Sequence, residues 1–288
     1  YITALLRQLM TQIAPDGQEC LDGTRFLDWP SNSNKDAIAA GLQALMVWGM
    51  RVGVEFAELF EDRQLSNDCK AAEKKLVKAA SKVYKKFLAS CPAPDAPGSK
   101  QVTALLTITG LIDAPKADKE FLSINGSQGF STFYGYYMLE ARAMAGNYQG
   151  ALDVIREYWG AMIDLGATSF WEDFDINWIP NAAPIDELVP EGKKDIHGDC
   201  GAYCYVGFRH SLCHGWASGP TSWLSRHILG VEVIEPGCRQ VRITPHLGDL
   251  PWVKGTFPTP SGELQIYHEQ HANGNVLSEV KAPKGVSV

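Results

Sequence analysis

The feature that most constrains this chain is a change of hydrophobic period near Gly230. Before it, apolar residues recur three and four positions apart; after it, they alternate with polar ones. The first period buries one stripe of a helix and the second buries one face of a strand, so neither part suits the other's structure. The reading is a mainly α fold, with helical hairpins over 1–230 and an antiparallel β domain over 231–288.

In the helical part, Ile2, Leu5, Leu6, Leu9 and Ile13 line one face of a first helix. A polar stretch containing Gly23 and Pro30 follows and ends at Asp36, read as the cap of a long second helix. Ile38, Leu42, Leu45, Met46, Val52, Phe56 and Phe60 mark that helix, and Gly41, Gly49 and Gly53 would let a neighbour approach it closely. Further helices are expected near 68–90, 99–111, 132–145, 148–165 and 218–229, with Pro92, Pro94, Pro97 and Gly98 separating the third from the fourth. Consecutive antiparallel helices with long loops on one rim describe an α/α toroid. Roughly seven helices are legible where six hairpins would give twelve, so the expectation is a partial (α/α)6 toroid whose first helices precede Tyr1. After Gly230, the turns at Pro260-Ser261-Gly262 and Asn273-Gly274 read as hairpin connections of a sandwich-like β domain still unfinished at Val288.

Composition removes several function classes. The net charge of −7 disfavours nucleic acid, because phosphate binding wants clustered Lys and Arg. Lys74, Lys75, Lys78, Lys82, Lys85 and Lys86 recur at helical spacing among apolar residues and read as a solvated helix face. No apolar run is read as reaching the roughly 18 to 20 residues of a membrane span. The chain opens inside a helix, so a signal peptide is not judged from it. Seven cysteines at irregular spacing make no disulfide framework. Cys200, Cys204, Cys213, His197, His210 and His214 lack a second cysteine pair and read as small buried thiols and ordinary histidines rather than a zinc site. No cofactor is expected; calcium is left open by the Asp-rich loop 172–199, which lacks EF-hand spacing.

That loop, 166–210, is where chemistry is expected, because some forty irregular residues are rare in a compact domain unless they carry function. It places Glu172, Asp173 and Asp175 among Phe170, Trp171, Phe174 and Trp178. Aromatic rings stack on the apolar face of a sugar, and partial desolvation lifts a carboxyl toward the range of acid–base work. The alternative is a loop of capping acids and packed rings. A second cluster, around His214 and Trp216, precedes a helix that Ser218 could cap; a third pairs Asp28 with Trp29, where an ordinary turn is the alternative. A fourth, Phe133, Tyr134, Tyr136 and Tyr137, reads mainly as packing at a helix start. Together the clusters suggest a cleft for a neutral saccharide at one end of the toroid.

Three segments carry a family resemblance. YWGAMIDLGATSFWEDFD resembles the stretch of α-L-rhamnosidases in which a Trp-Glu pair follows a Gly-Ala-Thr run. SLCHGWASGPTSWLSRHILGVEVIEPG, with ITPHLGDLPWVKGTFPTPSGEL, is similar to the last toroid helix and the opening of the C-terminal β domain; FLDWPS with KDAIAAGLQAL is similar to the middle of the same family. The resemblance implies inverting hydrolysis of terminal α-L-rhamnosyl residues from glycosides or polysaccharides. Glu172 would be the general base, His214 a sugar contact, Trp29, Trp171 and Trp216 the subsite walls, and Asp28 and Asp175 further substrate-binding groups. It also implies a secreted or periplasmic protein. The family's acidic, Arg-containing motif for the general acid has no counterpart here: Glu61-Asp62-Arg63 lies at a helix end. The acid is therefore expected upstream of Tyr1, and the isolated segment is expected to be inactive. The alternatives are another toroid carbohydrate enzyme (α-L-fucosidase-like, or a polysaccharide lyase using Arg209, His210 and His214) and a non-catalytic saccharide binder.

Overall fold

The structure is a computed structural model that describes residues 1–91, 93–94, 96–201 and 210–288. Pro92, Cys204 and Arg209, which entered the reading above, lie outside the described residues. Helix α1 (Ile2–Thr11) leads to α2 (Lys35–Leu59) and α3 (Arg63–Ser90), an antiparallel pair joined by a tight turn. Then come α4 (Ser99–Ile108), a short α5 (Ala114–Ala117) running into a π turn at Asp118–Leu122, and α6 (Gly135–Met144). Helix α7 (Tyr148–Val154) continues through a π turn at Ile155–Trp159 into α8 (Gly160–Asp164), and α9 (Gly219–Trp223) continues through another at Leu224–Ile228. This is a partial helical array followed by an antiparallel β region, as the change of period implies.

Local chemistry explains the boundaries. The cap of α2 is Asn34, whose side chain accepts from the N–H groups of Asp36 and Ala37; Asp36 sits inside the first turn and pairs with Lys86 at 2.7 Å. Helix α3 starts five residues before the expected 68, because Glu61 takes a left-handed turn (φ 58°) and Asp62 then caps Leu65 N–H. The 114–122 helix was missed: Asp113 caps it and Pro115 occupies its first turn, a pattern obscured by the lack of apolar periodicity. Of the three α2 glycines, Gly41 and Gly53 do permit close approach. A Cβ would stand 2.4 Å from Leu27 Cδ2 at the first and 2.8 Å from Cys69 Sγ at the second, whereas Gly49 faces open space.

Helix α2 corrects one expectation. It is long and apolar enough to cross a membrane by length and composition, although no such run was read from the sequence. More than half of its most apolar stretch is buried, and it packs against α3 and α4 as a core helix does. The main core joins α2, α4, α6, α7, the π turn after α7, and α9 through Ala44, Leu105, Met138, Leu152, Tyr158 and Trp223, with Trp171 and Phe174 from the loop beyond α8 inside it.

Within the long loop, two short strands, β1 (Ala182–Ala183) and β2 (Lys194–Asp195), pair in parallel. In the β region, β3 (Val231–Val233) pairs with β4 (Val241–Ile243), and β5 (Trp252–Thr259), β6 (Gly262–Gln270) and β7 (Val276–Lys281) form an antiparallel meander. The Thr259↔Gly262 register leaves Pro260 and Ser261 as the two-residue turn. Leu264 and Ile266 of β6 bury against Leu229, Val231 and Val241, while Lys254, Gln265 and Glu279 are exposed on the opposite side. Buried His268 bridges Leu229 O and Ser278 Oγ, and Tyr148 of α7 stacks on His246 at 3.7 Å. Arg156 of the π turn holds Asp249 through two hydrogen bonds, so the β region is anchored to the α7 helix at several points.

Candidate functional site

Helix α8 ends on Gly166, whose φ of 90° suits a left-handed C-cap; Gly166 and Ala167 N–H groups return to Ile163 O and Met162 O. The chain then runs extended past Phe170 and meets the segment before α9. Glu172 N–H donates to Ser211 O at 2.8 Å and His214 N–H to Phe170 O at 2.7 Å, a short ladder between residues about forty apart. Ser211 N–H in turn donates to Glu172 Oε2 at 3.1 Å. The Glu172 side chain, 13% exposed, therefore points from a fixed backbone toward His214, whose Nδ1 lies 3.8 Å from Oε2.

The Glu172 carbonyl accepts two side-chain hydrogen bonds, from Trp216 Nε1 at 2.6 Å and Thr132 Oγ1 at 2.5 Å. The Trp216 ring is 38% exposed, 4.5 Å from the His214 ring centroid and 5.6 Å from that of Phe133. Phe133, Tyr136, Tyr137, Trp216, Ser218, Gly219 and Ser222 line a cavity of about 250 Å³ beside it. The Phe133–Tyr137 cluster, read from sequence as packing, thus also supplies an aromatic wall. Ser218 does not cap α9 with its side chain; its hydroxyl donates to Gly215 O instead.

The other carboxylates have distinct surroundings. Asp28 is buried, and its Oδ2 accepts from Ser131 Oγ at 2.5 Å and Gln101 Nε2 at 3.1 Å, while Oδ1 accepts from Trp29 N–H. Burial pushes its pKa up to about 6, against the lowering effect of those hydrogen bonds; the nearby Asp173 charge pushes the same way as burial. Asp173 is also buried, and its N–H donates to His210 Nε2 at 3.1 Å. An accepting Nε2 puts the His210 proton on Nδ1, which faces Ile196 O at 3.1 Å, so this buried ring joins two stretches of the long loop. Asp175 caps the turn Ile176–Trp178, accepting from Asn177 N–H at 2.9 Å and from the Asn177 amide.

The structure therefore brings Glu172, His214 and Trp216 together and ties Asp28 to them through Ser131 and Thr132. Trp29 is half-buried beside Phe26. Trp171 departs from expectation: it is fully buried against Phe174, with no face left for a sugar. It faces the core because strand-like alternation puts Trp171 and Glu172 on opposite sides of the chain. Sequence reasoning missed Ser131 and Thr132, whose signal is a hydroxyl pair before an aromatic-rich helix start. Cys20, Cys69, Cys91, Cys200, Cys213 and Cys238 are free thiols, and no group of three or more potential ligands is placed to hold a metal among the described residues.

Known proteins share the fold of this chain. Residues 230–288 match the bacterial alpha-L-rhamnosidase C-terminal domain. Almost the whole chain superposes on solved rhamnosidases. A GH78 family rhamnosidase of Bacillus sp. GL1 has 21% identity and a TM-score of 0.70, with 99% of this chain and 29% of that chain covered. An α-L-rhamnosidase from Aspergillus terreus has 15% identity and a TM-score of 0.70, with 99% and 33% covered. The Streptomyces avermitilis α-L-rhamnosidase, solved with L-rhamnose, has 19% identity and a TM-score of 0.67, with 99% and 26% covered. The chain thus spans about a third or less of the length of the structures it matches. A comparison with curated proteins finds no sequence match.

Proposed function

Because the chain carries the bacterial α-L-rhamnosidase C-terminal domain on a rhamnosidase-like fold, we propose that it is part of an inverting α-L-rhamnosidase. On this reading, residues 1–230 contribute to the catalytic domain and residues 231–288 form the domain that follows it. The observation that carries the proposal is the Glu172 carboxylate, fixed by Ser211 and set beside His214 and the half-open Trp216 ring. Oε2 takes the Ser211 N–H, which leaves Oε1 to accept a proton from water as the water oxygen attacks the anomeric carbon. The glycosidic C–O bond breaks on the opposite face, and a second carboxyl protonates the departing oxygen, roughly 6.5–9.5 Å from the base in inverting enzymes. That acid belongs to a part of the protein outside these residues, so residues 1–288 alone give no turnover. His214 and Trp216 contact the sugar, whose deoxy C6 methyl suits the aromatic wall of Phe133 and Tyr137. The hydrolysis draws on no cofactor.

The test is the intact protein on p-nitrophenyl α-L-rhamnoside, beside Glu172→Gln. The expected result is release of the inverted anomer by the wild type and a loss of about a hundredfold or more in kcat for the variant, with its melting temperature unchanged. Equal turnover by both proteins would show that Glu172 is not the base. Wild-type activity on a different glycoside alone would keep the site and refute the substrate.

A further inference from the structure

We propose that Thr132 is a positioning residue for Glu172, and that the Ser131-Thr132 pair sets the base-bearing chain against the buried Asp28 carboxyl. The proposal rests on the reading of Glu172 as the base. A threonine hydroxyl near a helix usually bonds a carbonyl three or four residues back. Thr132 instead reaches across forty residues of chain to the Glu172 carbonyl, while the adjacent Ser131 hydroxyl reaches Asp28 across more than a hundred. The pair is itself fixed: Ser131 O accepts Gly135 N–H at 2.8 Å as α6 begins. Two neighbouring hydroxyls thus hold the two acid-bearing segments from one rigid helix start.

The second donor to the Glu172 carbonyl explains why Thr132 is needed. Trp216 Nε1 also donates there, but its ring borders the cavity beside His214 and Phe133 and is half-exposed. A sugar against that ring pulls on the same bond that steadies the base. Thr132 is buried and is not itself one of the residues that line the cavity, although it adjoins Phe133, so its hydroxyl holds the carbonyl while Trp216 serves the ligand. Removing its hydroxyl loosens Glu172 relative to the attacking water without altering the walls that bind sugar. The effect therefore falls on kcat and not on KM.

The experiment compares Thr132→Val, Thr132→Ser and Glu172→Gln in the intact protein, with kcat, KM and melting temperature measured for each on p-nitrophenyl α-L-rhamnoside. Thr132→Val is expected to lose about tenfold in kcat with KM within about twofold of wild type, and Thr132→Ser to stay within about twofold in both. Should Thr132→Val not fold, Thr132→Ala takes its place with the same expectation. Wild-type kinetics in the hydroxyl-free variant overturn the proposal, and so does a Thr132→Ser variant that falls as far as Thr132→Val, since the methyl would then be what matters. If Glu172→Gln is inactive while Thr132→Val is normal, the clamp alone fails. If Glu172→Gln is fully active, the base assignment and the clamp fail together.

Discussion

The segments around Glu172 and the β5–β7 meander are both built from extended chain, yet they are held in opposite ways. In the meander each strand pairs with its neighbour in sequence, and alternation sends Leu264 and Ile266 inward and Gln265 outward. Around Glu172 the described residues offer no sheet to join. The backbone is secured by His214, Trp216, Thr132 and Ser211, all about forty residues away, and by the packing of Trp171 and Phe174 into the helical core. Regular pairing makes the first region tolerant on its outer face; the second depends on individual side chains.

Substitutions can break or sharpen that contrast. The largest effect is expected at Trp171, where alanine empties a fully buried site and should cost about 3–5 kcal/mol. Denaturation of the intact protein measures it. A Trp171→Ala variant that keeps its stability and only raises KM would return this residue to the subsite wall and weaken the contrast.

Asp28 comes next. Its folded pKa of about 6 exceeds the ordinary 3.8, so the native state holds more protons than the unfolded one between those values. The group's contribution to stability is therefore full below about pH 4 and lost as pH rises through about 6, on the order of 2–3 kcal/mol. Asp28→Asn, which cannot ionise, should gain stability relative to wild type on going from pH 4 to pH 7.5. Thermal melts at the two pH values provide the comparison, and an unchanged difference would mean that Asp28 is charged throughout at little cost. The smallest effect is expected at Trp252, 58% exposed at the start of β5, where alanine should change stability by no more than about 0.5 kcal/mol. A larger loss would show that the outer face of the meander is not independent of its surroundings.

The same contrast explains what could be read from the sequence. The strands and their turns were legible because alternation and Pro-Ser-Gly or Asn-Gly connections are local signals. The long helices were legible too, although Asn34 rather than Asp36 caps α2, since both residues suit a cap and only the φ/ψ path of the chain distinguishes them. Glu172, His214 and Trp216 were picked out by residue type, and the structure places them together. The burial of Trp171 and the reach of Thr132 were not legible. Each depends on which segment lies opposite in space, and no spacing along the chain records a contact forty residues away.

The π turn at Ile155–Trp159 gives the molecule a phase it would otherwise lack. An α-helix advances about 100° per residue, so the one extra residue of a π turn rotates everything beyond it by roughly a quarter-turn. Here the rotation falls just before Trp159, whose indole N–H reaches Ala217 O at 3.0 Å between the Trp216 segment and α9. Losing one residue from this turn would act less as a shortening than as a twist. Trp159 would swing off Ala217, and Met162 and Leu165 would turn with it, while Tyr148 and the β anchor at His246 stayed where they are.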